Sequence, residues 1–343
     1  MKINWGLIGL GKISNIFAES FQNTKNSNLL AIASKNDEKL YSFKKKYLIQ
    51  NNFCFKSYEN LIKCDKVDVV YISLPNSFHK EWIDKCLFYK KKFLVEKPAF
   101  NNFKDAKEVE SKILKEENFF SEGFMYKFHP QFKKMIELIK NDEIGKIVSI
   151  KSKFGVNLIK KKNFFFFEKK KKINPNNRLF SKKLGGGCIL DLGCYPVSFS
   201  TSLISLQHNI DFEKFVITDC KKEVGETGVD IDAKLEYIFD NKINVEIISS
   251  FKKNIGKKSE IIGSKGTIII DDTWVSGKIL SLVKDNNKKE YKFDNITNLY
   301  TLEMDNVSQS ILNKSNCCLF PGTTFNETLI NTKILNDWIY EKK

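Results

Sequence analysis

The chain opens with Lys2-Ile3-Asn4-Trp5-Gly6-Leu7-Ile8-Gly9-Leu10-Gly11-Lys12-Ile13-Ser14, an apolar strand-like run that leads through a glycine turn into a helix-like run. Gly9 permits a tight turn, and Gly11 lets the backbone approach a pyrophosphate. Ser14 stands where a third small residue lets helix and strand pack closely. A helix that begins here directs the positive end of its dipole at a bound anion. The stretch therefore predicts a dinucleotide-binding turn, and a plain turn between strand and helix is the alternative.

Length and composition indicate a globular chain of two domains. The 343 residues exceed one typical domain, and a hydrophobic content of 42% is enough for two cores. No apolar run approaches the ~20 residues that a membrane helix needs, and the first strand begins at once, without a signal sequence. We expect a soluble, cytoplasmic protein with no membrane insertion.

The cysteines and the net charge limit the classes of partner. None of the eight cysteines forms a Cys-x-x-Cys pair, so we expect reduced thiols and no metal site. The formal net charge of +16 is typical of nucleic-acid proteins, but the lysines are spread along the whole chain and no known nucleic-acid motif accompanies them. We expect no nucleic-acid partner, and a basic nucleic-acid or surface-binding protein is kept as a rival hypothesis. A basic surface also favours anionic ligands.

The order of apolar runs divides the chain near residue 122. Residues 1–122 alternate strand-like and helix-like runs, which predicts an α/β fold with a doubly wound parallel sheet. Residues 123–343 carry consecutive strand candidates, which predicts an α+β domain with a large open, mainly antiparallel sheet. The strand candidates are 29–33, 67–74, 93–95, 146–156, 212–220, 233–239, 243–251 and 266–270. The helix candidates are 37–46, 77–88, 131–140, 302–312 and 324–340.

One segment, residues 160–172, has no single structural reading. It places four consecutive phenylalanines between lysine runs. A lid over a site, a contact with another subunit, a peripheral membrane wedge and a biased loop that packs its rings on the core are all compatible with it. We assign this segment no function.

Polar residues stand at the ends of predicted strands, where an open α/β sheet binds its ligands. The run Pro75-Asn76-Ser77-Phe78-His79 follows one strand, and Glu96-Lys97-Pro98 follows the next. Farther on, Asp191 and Tyr195 lie four apart after a triple glycine, so on a helix they would share a face. Pro196 disfavours helical geometry at Tyr195, so that argument is only approximate.

These motifs, with 126–131 (Tyr-Lys-Phe-His-Pro-Gln) and 225–230 (Gly-Glu-Thr-Gly-Val-Asp), occur in the order of one known family. The chain resembles the Gfo/Idh/MocA family of oxidoreductases through nearly its whole length. Many members carry histidine where Tyr195 stands, and the tyrosine resembles the branch of dihydrodiol dehydrogenases, xylose dehydrogenases and glucose-fructose oxidoreductase.

The resemblance implies a Rossmann dinucleotide-binding domain over 1–122 and a substrate-binding and oligomerisation domain over 123–343. It implies hydride transfer between a nicotinamide and a hydroxyl or keto carbon of a sugar, cyclic polyol or dihydrodiol, in a homodimer or homotetramer that pairs through the open sheet. The catalytic residues would be Lys97, Tyr195 and Asp191.

The resemblance also assigns binding residues by position. The cofactor residues would be Gly9, Gly11, Lys12, Ile13, Ser34, Lys35, Leu74, Pro75, Asn76, His79, Glu96 and Lys97. The substrate residues would be Lys97, Tyr126, Arg178, Asp191 and Tyr195. Structural alternatives stay open: a surface lysine at 97, a helix cap at 191, a core tyrosine at 195, a solvated arginine at 178 and a structural histidine at 79.

Elementary chemistry agrees with these roles. Oxidation of an alcohol needs a group that takes the hydroxyl proton, and a phenol can do so if a neighbouring cation lowers its pKa. Tyr195 and Lys97 are the candidates. After the second strand the chain reads Ala33-Ser34-Lys35-Asn36, with no acid before Asp37, which predicts NADP over NAD. A non-catalytic NADP-binding sensor is the alternative function.

Overall fold

A computed structural model of the chain describes residues 2–115, 118–162, 168–275, 277–294, 296 and 298–340. It divides into two compact units. The first unit comprises Met1–His129 with Thr297–Leu329, and the second comprises Pro130–Ile296 with Ile330–Lys343.

Strands and helices are numbered in chain order. The strands are β1 (Ile3–Ile8), β2 (Ser27–Ala33), β3 (Cys54–Phe55), β4 (Val69–Ile72), β5 (Lys92–Glu96), β6 (Phe120–Gly123), β7 (Ile147–Gly155), β8 (Lys160–Lys162), β9 (Glu168–Lys170), β10 (Phe215–Val224), β11 (Asp230–Phe239), β12 (Ile243–Ser250), β13 (Ser259–Gly263), β14 (Thr267–Ile270), β15 (Ile279–Lys284) and β16 (Asn287–Lys292). The helices are α1 (Lys12–Glu19), α2 (Asp37–Tyr47), α3 (Tyr58–Lys63), α4 (His79–Phe88), α5 (Phe103–Leu114), α6 (Pro130–Lys140), α7 (Cys194–Ser205), α8 (Leu299–Leu312) and α9 (Phe325–Tyr340).

The first unit is built on a parallel sheet in the strand order β3-β2-β1-β4-β5-β6. The order reverses between β1 and β4, so this is the doubly wound arrangement that the alternation predicts. Strands β4 and β5 are buried along nearly their whole length, as expected of a sheet covered on both faces. The carboxyl ends of the central strands therefore meet along one edge, where such folds bind ligands.

A distant part of the chain completes the first unit. Helix α8 packs on β1 and β2, where the Trp5 Nε1–H donates to Ser308 Oγ at 2.9 Å. The following segment pairs with the outer strand β6 through Cys317 and Thr323, so it covers a sheet edge that would otherwise be exposed. The predicted division at residue 122 assigns α8 to the second domain, whereas the compact first unit continues to His129 and includes 297–329. Helical periodicity indicates α8, but it does not indicate which sheet α8 contacts.

The second unit contains an eight-stranded sheet in the order β10-β11-β12-β7-β13-β14-β15-β16. Neighbouring strands are antiparallel except β12 and β7, which are parallel, so the predicted open and mainly antiparallel sheet is confirmed. Strands β13, β15 and β16 are absent from the strand candidates. Strands β8 and β9 form a separate antiparallel pair, and the four phenylalanines between them, 164–167, lie outside the described residues.

Helix α7 is the buried helix of the second unit and packs against β7 and β12. The helical run Lys182–Ser205 is long and apolar enough, by length and composition, to cross a membrane. The expectation that no apolar run approaches the length of a membrane helix is therefore wrong for this run. Because 94% of its most apolar window is buried inside the protein, the run is a core helix.

Candidate functional site

The glycine turn between β1 and α1 has the shape of a phosphate cradle. Gly9 has a φ of +86°, a conformation that favours glycine, and a Cβ there would lie 2.7 Å from the Leu74 side chain. At Gly11 a Cβ would meet no described atom within 4 Å, so the backbone faces open space at the start of α1. A pyrophosphate fits this position, because the first N–H groups of a helix have no partner within the helix. Lys12 and Ile13 provide those first helical residues.

Two buried serines hold the turn. The Ser14 hydroxyl donates to the Gly9 carbonyl, and the Gly11 N–H donates to Ser14 Oγ at 3.2 Å. Ser73, just beyond β4, also donates to the Gly9 carbonyl at 2.8 Å, and its Oγ lies 2.7 Å from that of Ser14. Serine at the third small position therefore links the turn to the neighbouring strand, which glycine would not do.

The end of β2 carries no carboxylate before α2. Ser34 is buried, and its Oγ accepts the Asn36 N–H at 3.1 Å. Lys35 is exposed, and its ammonium lies 5.7 Å from the centre of the Tyr58 ring. Asp37 is the first residue of α2, and its carboxylate pairs with Lys56 Nζ at 2.9 Å.

His79 connects the ends of two strands. Its ring is fully buried, with Nδ1 2.9 Å from the Pro98 carbonyl and Nε2 2.9 Å from the Leu74 carbonyl. It thereby ties Leu74-Pro75-Asn76, which follows β4, to the Glu96-Lys97-Pro98 turn that follows β5. A structural role for His79 is therefore present, and direct cofactor contact stays a prediction.

Glu96 and Lys97 stand at the end of β5 in different surroundings. Glu96 is buried, and the Tyr71 hydroxyl donates to its carboxylate. Lys97 is half-buried and precedes a cis peptide bond to Pro98. The structure thus places Lys97 on the same sheet edge as the glycine turn.

Two buried acids of the first unit are absent from the sequence-based site. Glu303 of α8 is 1% exposed, and neither carboxyl oxygen has a hydrogen-bond partner among the described residues. Burial, and secondly the nearby Glu96, raises the pKa of Glu303 well above its usual range. Burial also raises the pKa of Glu122 to about 7, although Ala99 N–H and Thr328 Oγ1–H donate to it at 2.8 and 2.6 Å. Neither acid lies in a motif with a known spacing, so neither could be predicted from the sequence.

Tyr126 lies in a short 3-10 turn after β6. It is fully buried, and its ring centre lies 6.1 Å from that of Phe124. Its predicted contact with substrate stays a prediction.

The second unit brings Arg178 and Asp191 together. Arg178 Nη1 lies 3.2 Å from Asp191 Oδ1, and the arginine is half exposed while the aspartate is mostly buried. The pair presents a guanidinium and a carboxylate side by side. The guanidinium can donate a hydrogen bond to the oxygen of a ligand hydroxyl, and the carboxylate can accept one from a ligand hydroxyl.

Tyr195 is enclosed by aromatic rings. Only 6% of it is exposed, and its ring centre lies 5.4 Å from that of Phe154 and 6.0 Å from that of Trp274. Trp274 is itself fixed, because its Nε1–H donates to the Lys153 carbonyl at 3.0 Å. These rings restrict the orientation of the phenol, and neither Phe154 nor Trp274 lies in one of the motifs that predict the site.

The helix that carries Asp191 and Tyr195 begins at Cys188, widens into a π turn over Ile189–Gly193 and continues as α7. The expectation that Pro196 disfavours helical geometry at Tyr195 is wrong, since both residues are helical. Pro196 lacks the N–H that would donate to the Leu192 carbonyl in a regular α-helix. The π turn immediately before it already departs from the regular hydrogen-bond pattern, so the helix tolerates a proline at this point. In a π turn the bonded residues are five apart, so a spacing of four does not by itself place Asp191 and Tyr195 on one face.

Comparison with known proteins agrees with the fold and the turn. Residues 3–124 match the family model described as an oxidoreductase family with an NAD-binding Rossmann fold, and residues 132–269 match the GFO/IDH/MocA C-terminal domain. The chain is 29% identical to trans-1,2-dihydrobenzene-1,2-diol dehydrogenase of Xenopus tropicalis over 86% of this chain and 82% of that protein.

A second relative matches a shorter part of the chain, and a solved structure shares its fold. The chain is 29% identical to D-xylose 1-dehydrogenase (NADP(+)) 2 of Haloferax volcanii over 57% of this chain and 54% of that protein. The crystal structure of aldose-aldose oxidoreductase from Caulobacter crescentus, complexed with glycerol, superposes with a TM-score of 0.84 at 18% identity, covering 99% of this chain and 97% of that one. The chain belongs to the GFO/IDH/MocA family of NAD(P)-binding oxidoreductases.

Proposed function

We propose that the chain is an NADP-preferring dehydrogenase or reductase that interconverts a hydroxyl and a keto carbon of a sugar, cyclic polyol or dihydrodiol. One observation carries the proposal. The glycine cradle, the acid-free end of β2 and Lys97 follow strands β1, β2 and β5 of one parallel sheet, at its carboxyl edge. That edge is where a doubly wound sheet binds a dinucleotide.

The preference for NADP rests on the end of β2. A carboxylate there would bind the ribose hydroxyls of NAD and repel the phosphate of NADP. Here the nearest acid, Asp37, lies within α2 and pairs with Lys56, while exposed Lys35 follows buried Ser34. A cation beside a small hydroxyl residue suits a phosphate.

The cofactor supplies the hydride acceptor or donor when bound, held by the glycine turn through its backbone N–H groups. Tyr195 is assigned the proton transfer, since its hydroxyl can accept the proton that an alcohol loses on oxidation and return it to a ketone on reduction. Lys97 is assigned the cation that favours the phenolate and binds the reacting oxygen. Asp191, paired with Arg178, is assigned the orientation of a second hydroxyl.

The substrate class follows from the second unit and from the relatives. The aromatic rings around Tyr195 and the Arg178–Asp191 pair suit a compact ring with several hydroxyls. Two relatives are named for substrates of this chemical class, one as a dihydrodiol dehydrogenase and one as a D-xylose dehydrogenase.

A cytoplasmic location is also part of the proposal. All eight cysteines are free thiols, which is typical of proteins in a reducing compartment.

The test combines a substrate panel with two variants. Sugars, cyclic polyols and dihydrodiols are assayed with NADP⁺ for the absorbance of reduced nicotinamide. Tyr195→Phe keeps the ring and should lower turnover by about 100- to 10,000-fold, the usual value of acid–base catalysis. Lys97→Met should lower turnover by at least ~100-fold while NADPH binding, measured by fluorescence, is largely retained.

The matched control is Tyr237→Phe. The hydroxyl of this buried tyrosine of the same unit lies 2.7 Å from Ser200 Oγ and is not assigned to the reaction, so its variant should keep full turnover. Undiminished turnover in Tyr195→Phe would exclude the proposed proton transfer. Tight NADPH binding with no turnover on the whole panel would support the non-catalytic sensor instead.

A further inference from the structure

The helix that carries Asp191 and Tyr195 receives its N-terminal cap from a distant strand. The helical run begins at Cys188, so Gly187 occupies the N-cap position and has no side chain to accept a hydrogen bond. Asp230, the first residue of β11, supplies the acceptor: the Ile189 N–H donates to Asp230 Oδ2 at 2.6 Å. Ile189 is the second residue of the helix, the position that an N-cap side chain normally serves.

Two glycines make this arrangement possible. Gly187 has a φ of +117°, and a Cβ there would collide with the Asp230 carboxylate. At Gly186 a Cβ would lie 2.6 Å from the Leu179 carbonyl oxygen and 2.7 Å from that of Arg178. The glycine run therefore lets Asp230 and the loop of Arg178 close on the same helix start.

The charge of Asp230 suits its place. Burial raises the pKa of Asp230 above its usual range, while the hydrogen bond from the Ile189 N–H and the neighbouring Cys188 thiol lower it. A carboxylate at a helix N-terminus also interacts favourably with the helix dipole. The cap is thus held from the sheet of the second unit and does not depend on the glycine loop alone.

We propose that Asp230 is a positioning residue for the reaction: it fixes the start of the helix and, through it, the placement of Asp191 and Tyr195. Asp191 follows the capped Ile189 by two residues, inside the π turn, and Tyr195 follows it by six. The inference rests on the proposed function, because Asp230 acts only through these two side chains.

The central experiment is a double-mutant cycle of Asp230→Ala and Tyr195→Phe. Asp230→Ala alone should lower turnover by up to about 100-fold, the effect of a small misplacement of a reacting group. NADPH affinity should not change, since the glycine cradle lies in the first unit. In the Tyr195→Phe background, Asp230→Ala should add little further loss, because its effect passes largely through the phenol.

Two further readouts separate positioning from general stability. Asp230→Asn keeps an oxygen for the Ile189 N–H and should restore most of the turnover that Asp230→Ala loses. Near-ultraviolet circular dichroism of the Tyr195, Phe154 and Trp274 cluster should change in Asp230→Ala and stay unchanged in Asp230→Asn.

Glycine variants provide a matched pair. Gly187→Ala pushes on the Asp230 carboxylate and should lower turnover as Asp230→Ala does. Gly228→Ala is the control, because Gly228 also has a positive φ, of +79°, but a Cβ there would meet no described atom within 4 Å. It should keep full turnover.

The outcomes are distinguishable. Full turnover in Asp230→Ala would overturn the inference while leaving the proposed function intact. An equal further loss in the Tyr195→Phe background would overturn the part of it that concerns the phenol. Full turnover in Tyr195→Phe alone would overturn the assigned role of the phenol, and with it the reason for positioning it.

Discussion

At the scale of single residues, the position after β2 is the most sharply defined. Ser34 is fixed by its bond from the Asn36 N–H, whereas the Lys35 side chain is exposed and contacts the Tyr58 ring. A buried hydroxyl beside an exposed cation can bind a phosphate without rearrangement of the backbone.

We therefore expect Lys35→Ala to weaken NADP binding by about 10- to 100-fold, the value of a hydrogen bond to a charged group, and to leave NAD binding unchanged. Titration of both cofactors by fluorescence measures this. Lys39→Ala is the control, since it removes the same charge from an exposed site on α2. Tighter binding of NAD than NADP by the parent protein would contradict the assignment.

The sequence was informative for residues whose chemistry follows from local context. The glycine turn, Lys97 and the acid-free end of β2 could each be placed at strand ends from short motifs. Asp230 could not, because its partner Ile189 lies 41 residues away and the contact depends on how β11 meets the helix. Glu303 could not either, since helical periodicity does not show that a glutamate faces the core.

At the scale of elements, α8 carries an acid whose burial costs stability. Both oxygens of Glu303 lack hydrogen-bond partners among the described residues, and burial raises its pKa. Glu303 therefore has a higher pKa in the folded protein than in the unfolded chain. At pH values between these two pKa values, the folded protein keeps the Glu303 proton and the unfolded chain releases it. Stability contributed by the protonated form is therefore present at low pH and is lost as the pH rises.

We expect Glu303→Met to raise the melting temperature, with a gain that grows between pH 5 and pH 8. An unsatisfied buried polar group costs about 1–3 kcal/mol, so the gain should be several degrees. Glu303→Gln is the matched variant, because it removes the charge but leaves an unpaired polar group; it should flatten the pH dependence with little gain at pH 5. Destabilisation by Met at pH 8 would show that the carboxylate makes a necessary contact.

The strands of the second sheet differ in how well their sequence pattern predicts them. Strand β16, Asn-Lys-Lys-Glu-Tyr-Lys, has no apolar alternation, since it lies at a sheet edge and is mostly exposed. Its signal was the Asp285-Asn286 pair, both residues with positive φ, which joins β15 to β16 as a two-residue hairpin. Strand β11, inside the sheet, alternates buried and half-buried residues, and its predicted start lies three residues from the observed one.

At the scale of the whole molecule, one face of the large sheet has a pattern that fits pairing with a second copy. Lys151 lies between Glu246 and Glu260 on the neighbouring strands, and Ile248 lies between Lys234 and Lys153. These side chains are at least partly exposed. Alternating acidic and basic positions allow a two-fold related copy to offer opposite charges, so we propose that homodimers or homotetramers form here.

We expect the protein to be a dimer or larger by light scattering, and Ile248→Lys to shift it to the monomer, because a third lysine would then stand in one row of like charges. Leu48→Lys is the control, since Leu48 is exposed on the first unit. A monomeric parent protein would exclude this face as the contact between copies, and so would an Ile248→Lys variant whose oligomer has the same mass as the parent's.

The return of α8 to the first unit has a consequence for synthesis of the protein. Trp5 leaves the ribosome 303 residues before Ser308, its hydrogen-bond partner. At translation rates of about 5–20 residues per second, this interval lasts about 15–60 s. During that time β1 and β2 can form their parallel pairs but have no α8 to cover them. Until residues 299–312 leave the ribosome, the nascent chain therefore exposes an apolar sheet face to chaperones.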